Sequence, residues 1–225
     1  MTEPTGQGVS SSETEQTGIN VIRALAMDGP RAANSGHQGT AMALAPLAHA
    51  LFTKVLKYDA ADPQWPDRDR FILSTGHASI LHYSMLYLTG HGLELEDLRQ
   101  FRQFGSNTPG HPEAGHTDGI EVTTGPLGQG LANGVGMAMT ERYLRSTYGQ
   151  DLCDHFTYVI AGDGCLSEGV SHEAASLAGH QGLGRLVVVY DDNHITIDGP
   201  TELALSDDAP AVSYTHLTLP TTPYV

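Results

Sequence analysis

Apolar positions in the first third of the chain recur at helical spacing. Ile19, Ile22, Leu25 and Ala26 hold one face up to Gly29-Pro30, which predicts a helix that ends or kinks there. A second run, residues 40–56, carries Leu44, Leu47, Leu51, Val55 and Leu56 at the same period. Asp67-Arg68-Asp69-Arg70 then gives way to Phe71-Ile72-Leu73-Ser74, a short apolar segment that reads as a strand. Residues 80–88 and 95–104 return to helical spacing, and 127–148 is a long helical stretch interrupted by Gly130, Gly134 and Gly136. The clearest pattern follows. Phe156-Thr157-Tyr158-Val159-Ile160-Ala161 reads as a buried strand, 168–180 as a helix, and Leu186-Val187-Val188-Val189-Tyr190 as a second buried strand. Strand, helix and strand in that order make a βαβ unit with a right-handed crossover. The predicted class is α/β, a parallel β-sheet flanked by helices.

The two ends differ from what lies between. Residues 1–17 are rich in Thr, Ser, Glu, Gln and Gly without periodicity and read as a disordered lead-in. Residues 18–208 read as one domain. Residues 209–225 contain neither charge nor Gly and do not continue what precedes them. They read as non-native or disordered, 212–225 resembling the translated adapter at the end of an incomplete gene read. The chain therefore reads as the front part of a longer protein.

Charge narrows the class of partner. Eleven Lys and Arg against 26 Asp and Glu give a net charge of −15. Nucleic acid and anionic membrane surfaces both need a basic footprint, and none is present. No apolar run reaches membrane-span length, and the first residues hold no signal-peptide core, so a cytoplasmic location is expected. Cys153 and Cys165 supply no disulfide framework and no metal-ligand spacing.

Glycine and histidine carry the candidate chemistry. Six of the 12 histidines follow a glycine. His91, His116 and His180 read as ordinary loop histidines. His37, His77 and His111 sit in richer contexts: Ser35-Gly36-His37, Ser74-Thr75-Gly76-His77 and Thr108-Pro109-Gly110-His111-Pro112. Gly lets backbone approach a ligand while imidazole faces it. Gly162-Asp163-Gly164 follows one predicted strand and Asp191-Asp192-Asn193 the next, so the two loops should be neighbours where ligands gather in α/β sheets. Their carboxylate, amide and carbonyl oxygens are hard donors, suited to Mg²⁺ or Ca²⁺ shared with phosphates. Thr123-Thr124-Gly125-Pro126-Leu127-Gly128-Gln129-Gly130 opens a helix but lacks both the P-loop Lys and the dinucleotide glycine spacing. It reads as a flat backbone surface for a ring. Gly130, Gly134 and Gly136 would permit close helix packing, within the chain or between subunits.

These residues resemble a known family. Gly162-Asp163-Gly164, 27 intervening residues and Asp192-Asn193 are similar to the thiamine diphosphate signature. Thr108-Pro109-Gly110-His111-Pro112-Glu113, Thr124-Gly125-Pro126-Leu127-Gly128-Gln129-Gly130 and the run from Asp69 to His77 narrow the likeness to the transketolases, over about residues 19–208. The resemblance implies transfer of a two-carbon ketol unit from a ketose phosphate to an aldose phosphate in the pentose phosphate pathway, with the cofactor as electron sink. It implies Asp163, the Asn193 side chain and the Ile195 carbonyl as Mg²⁺ ligands, and His77 and Gly164 as diphosphate contacts. Gly125, Pro126 and Leu127 become the surface under the aminopyrimidine, and His37 and His111 substrate-facing imidazoles. Glu168 resembles a buried acid near a subunit boundary in a homodimeric parent. Gln38 departs from the family, which usually has Pro there. The aminopyrimidine-activating Glu belongs to the family's next domain, so this chain is expected not to turn over alone. Two rivals stand beside this reading: another ketol-transferring thiamine enzyme such as a dihydroxyacetone synthase, and a non-catalytic cofactor-binding amino-terminal subunit.

Overall fold

The computed structural model of the chain describes residues 11–209 and 211. The first ten residues of the lead-in and the tail beyond 211 lie outside the described residues. Helix α1 (Ser11–Ala32) begins earlier than the hydrophobic pattern indicates. The last seven residues of the supposed lead-in are helical, tied by Thr17 Oγ1 to the Glu13 carbonyl at 2.8 Å and by a Glu15–Lys54 ion pair at 2.8 Å. Composition hid this turn because it is polar on every face. The same helix also runs through Pro30. That proline lies in the last turn, so it removes one helical N–H only just before the helix stops, and the end is closed by Ala33 N–H on Gly29 and Ser35 N–H on Pro30.

The second apolar run is broken into α2 (Gly39–Ala43), α3 (Ala45–Ala50) and a π-helical turn (Leu51–Val55), with Pro46 in the first turn of α3. β1 (Arg70–Leu73) leads through a 3₁₀ turn (Gly76–Ala78) into α4 (Ser79–Leu88). Of the helix expected over 95–104 only α5 (Leu95–Arg99) forms. Arg102 and Gly105 take left-handed φ of 62° and 77°, and Arg102 N–H turns to the Thr108 carbonyl instead. α6 (Gln129–Tyr148) is continuous through its glycines. β2 (Thr157–Gly162), the short α7 (Asp163–Leu166), α8 (Gly169–Gln181) and β3 (Leu186–Asp191) complete the βαβ unit. A small antiparallel pair follows, β4 (Ile195–Thr196) with β5 (Gly199–Pro200).

The main sheet is parallel, in the order β1-β2-β3, with Arg70 opposite Thr157 and Thr157 opposite Leu186. Side chains alternate across it as strand geometry requires. Phe71, Leu73 and Ile160 join Ile22, Ala26 and Ile80 in one core layer, while Ile72 and Val159 join Leu131 in the other. Helices therefore cover both faces, and the α/β class is as the sequence indicates. Two of the three α6 glycines have their explanation inside this chain. A Cβ on Gly130 would lie 2.5 Å from Ser74 Cα, and one on Gly134 2.5 Å from Val159 Cγ2, so they seat the helix on the sheet; Gly136 faces open space.

Candidate functional site

All three parallel strands finish at one pole, and the loops leaving them carry the candidate residues. The chain leaves β1 through Ser74-Thr75-Gly76-His77. Gly76 has no room for a side chain: a Cβ there would lie 2.6 Å from Thr124 Oγ1 and 2.7 Å from Gly125 N. This loop is thus pressed against the Gly-rich turn ahead of α6. Gly125, at φ 145°, faces the His111 ring, with a notional Cβ 3.3 Å from His111 Cγ. Leu127 Cδ1 would lie 2.8 Å from a Cβ on Gly164, at the end of β2. The turn is the hub on which the loops of His77, His111 and Asp163 converge. Nothing in its own sequence names it as a hub; each contact comes from a distant segment.

Three histidines meet above it. The rings of His37 and His77 lie 5.1 Å apart, edge to face at 65°. His77 is half-buried, and its pKa falls from 6.5 to about 4 through burial, with smaller pushes from His37 and His111. Burial also lowers His111, with Arg102 and His37 adding to the effect and Glu113 opposing it. Neutral imidazoles at pH 7 each keep one N–H and one lone pair. The His111 loop is rigid, as its flanking prolines suggest. Ser79 Oγ donates to the Gly110 carbonyl at 2.8 Å, and Tyr83 Oη reaches the carbonyls of Pro109 and His111 at 3.0 and 3.1 Å. Gln38 sits at the start of α2, its carbonyl accepting Met42 N–H at 2.9 Å. The residue that departs from the family thus leaves His37 beside His77.

The acidic half of the site joins the ends of β2 and β3. Asp163 Oδ2 accepts the backbone N–H groups of Asn193 and His194 at 3.0 and 2.8 Å, and Oδ1 accepts the Tyr190 hydroxyl. The tyrosine stays a proton donor, since burial and then its bond to Asp163 raise its pKa. His194 takes φ 57° to complete the turn. Asn193 itself is exposed, its Nδ2 donating to Asp191 at 2.8 Å and its Oδ1 accepting Ile195 N–H at 3.1 Å. Asp163 and Asn193 are brought together from separate strand ends, and Ile195 adjoins them at the head of β4. Glu168 stands at the N-cap of α8, exposed in the single chain and beside Gly128 of the Gly-rich turn.

The two halves touch through Gly162, where a Cβ would lie 3.1 Å from Thr75 Cγ2, and through Leu127 against Gly164. At that junction the hydroxyls of Thr75 and Thr124 are buried without a partner. A buried hydroxyl without a partner costs free energy, and both are free to bond a polar group brought to this pole. Sequence reasoning had the loops of Thr75 and Thr124 but not these hydroxyls, because Ser and Thr beside Gly are common in turns. It had Tyr190 at the end of a strand but not its hydroxyl on Asp163, and it missed Arg102, whose guanidinium backs Gly110 at 3.1 Å from a notional Cβ.

Comparisons with known proteins give the family. Residues 14–216 match the family model for the transketolase thiamine diphosphate-binding domain. A transketolase of Cereibacter sphaeroides is 57% identical over 193 residues, covering 85% of this chain and 29% of its own length. The chloroplastic transketolase of Zea mays is 52% identical over 203 residues, covering 88% of this chain and 30% of its own. The solved transketolase of Leishmania mexicana superposes with a TM-score of 0.87 at 49% identity, over 90% of this chain and 31% of that one. The chain thus spans about three tenths of the length of the relatives it matches.

Proposed function

The chain belongs to the transketolase family, as its thiamine diphosphate-binding domain, and on that premise we propose that it forms the diphosphate and cation half of a ketol-transfer site. The carrying observation is the convergence on one Gly-rich turn of three histidines and an acidic loop pair. The residues present fit the cofactor. Two orphaned threonine hydroxyls, glycines with no room for a side chain and a set of hard oxygen donors surround one junction.

Asp163, Asn193 and the Ile195 carbonyl would hold a divalent cation, Mg²⁺ by donor chemistry, with Ca²⁺ as substitute. Asn193 would exchange its bond to Ile195 N–H for the ion. His77 and Gly164 would face the diphosphate, where a neutral imidazole donates one N–H without adding charge. Gly125, Pro126 and Leu127 would lie under the aminopyrimidine. Thiamine diphosphate, when bound, supplies the electron sink for breaking and forming the carbon–carbon bond. His37 and His111 would bind hydroxyls of a sugar phosphate and exchange protons with them, and the depressed pKa of His111 keeps it able to accept a proton at neutral pH.

Transfer of a two-carbon unit between sugar phosphates, in a cytoplasmic pentose phosphate pathway, is the whole-protein activity this supports. Turnover needs the remaining length of the relatives and a homodimer. Calorimetry with thiamine diphosphate and Mg²⁺ on this chain and on Asp163→Ala tests the reading. Binding should weaken about 100-fold or more in the variant. Equal affinity in both would overturn the cation assignment.

A further inference from the structure

At the opposite pole, where the parallel strands begin, a second cluster of ligating atoms forms from segments far apart in sequence. The loop entering β1 and the segment entering β2 run side by side, in the register that sets Arg70 opposite Thr157. Carboxylates staple them: Asp67 Oδ1 accepts Asp154 N–H at 2.6 Å, and Asp69 Oδ1 accepts Phe156 N–H at 2.7 Å. This pairing gathers Asp67, Cys153 and His155, whose Oδ, Sγ and ring nitrogen all lie within 4.8 Å of one another. His155 Nδ1 is 3.8 Å from Cys153 Sγ and 3.2 Å from Asp67 Oδ1.

We propose that Asp67, Cys153 and His155 form a binding site for a thiophilic divalent cation, Zn²⁺ by chemistry, separate from the cofactor pole. Four observations carry it. First, the donor set is one sulfur, one imidazole nitrogen and one carboxylate oxygen, which suits Zn²⁺ and not Mg²⁺. Second, the spacing fits. Bonds of about 2.3 Å to sulfur and about 2.0–2.2 Å to nitrogen and oxygen set tetrahedral ligands about 3.3–3.6 Å apart. The Nδ1–Sγ and Nδ1–Oδ1 separations bracket that range and the Sγ–Oδ pair lies within 4.8 Å, so the three side chains would draw together on the ion. Third, the site is sheltered: Cys153 is 6% and His155 4% exposed, and the Asp67 side chain 20%. Fourth, the orientation is fixed from outside. Lys57 Nζ holds Asp67 Oδ2 at 2.7 Å, which turns Oδ1 toward the cluster. Binding releases the Cys153 proton to solvent as the metal–sulfur bond forms. Thiolate and carboxylate then balance the two positive charges, and water takes the fourth position. The ion would tie the entry of β1 to the entry of β2.

No short motif announces this site. Asp67 stands 86 residues before Cys153, and a Cys-x-His pair alone has no ligand spacing, so only strand pairing reveals it.

Co²⁺ added to the chain is the direct probe, because a cobalt–thiolate bond gives a near-ultraviolet charge-transfer band that oxygen and nitrogen ligands do not. One equivalent should develop the band, excess Zn²⁺ should bleach it, and Zn²⁺ should raise the melting temperature. Cys153→Ser should abolish the band and weaken Zn²⁺ binding at least tenfold, while Cys165→Ser keeps both. Far-ultraviolet circular dichroism confirms that each variant is folded. No band in the unaltered chain overturns the proposal without any variant. A band that survives Cys153→Ser and is lost in Cys165→Ser overturns it equally.

Discussion

At the pole where the strands begin, acidic side chains are committed to backbone N–H groups and cations. Asp69, buried, accepts Lys57 N–H at 2.8 Å and Phe156 N–H at 2.7 Å. Arg68 grips Glu121 through two bonds of 2.9 Å, and buried Glu141 faces Arg145 and Arg185. At the pole where the strands finish, Thr75 and Thr124 hold hydroxyls without a partner, and glycines stand where any Cβ would collide. These bonds fix strand register, although Glu141 Oε1, Thr157 Oγ1 and Arg185 Nε are buried there without a hydrogen-bond partner and Cys153 and His155 stand beside Asp67. The poles differ in what their residues are committed to: carboxylates spent on backbone N–H groups and cations at the first, glycines that let backbone approach a ligand closely at the second.

The contrast breaks first at the two aspartates. Asp69→Ala removes two charge-assisted bonds to half-buried backbone N–H groups, a loss of about 3 kcal/mol. Asp163→Ala also frees two N–H groups, but these lie on an exposed loop where water replaces the carboxylate. It should cost less than half as much stability while removing cofactor binding. Urea unfolding of both variants measures the difference. Equal destabilisation would dissolve the distinction between the poles.

A smaller effect separates two glycines that look alike in sequence. Gly76→Ala drives a methyl into Thr124 and into the backbone of Gly125, and it should cost about 1–3 kcal/mol and weaken cofactor binding. Gly136→Ala, mid-helix and facing open space, should instead add about 0.5–1 kcal/mol. Thermal melts of the pair show opposite shifts if close approach, rather than glycine content, decides.

What the sequence disclosed follows from range. The strands were legible because apolar β-branched runs leave no other solution, and their order followed from the helix between them. The Asp163 and Asn193 loops were legible because each directly follows such a strand. The start of α1 was not, since a solvent-facing polar turn has no hydrophobic signature. The truncated α5 was not, because Leu95 to Phe104 keeps helical spacing while the bond from Arg102 to Thr108 wins locally. The burial of Thr75 and Thr124, and the meeting of Asp67 with Cys153, are set by contacts between distant segments, which no local pattern encodes.

The least effect at neutral pH belongs to a residue of neither pole. His82 on α4 is 2% exposed, its ring packed edge-on to Phe71 at 4.7 Å and to Phe52 at 6.0 Å, and neither nitrogen has a partner. Burial, with a small push from His91, lowers its pKa from 6.5 to about 3. The sign follows from proton counts. Between pH 6.5 and about 3 the unfolded chain binds a proton there that the folded chain does not. Stability therefore falls as the medium is acidified through that window, by up to about 1.4 kcal/mol per pH unit from this group. His82→Leu keeps the volume, removes two orphaned nitrogens and abolishes that slope. Its urea midpoint should match or exceed the parent's at pH 7.5, and the gap should widen in its favour at pH 5. Parallel pH profiles would mean that His82 takes up its proton without unfolding. Acid sensitivity would then rest with other buried imidazoles, such as His77, whose pKa burial lowers to about 4.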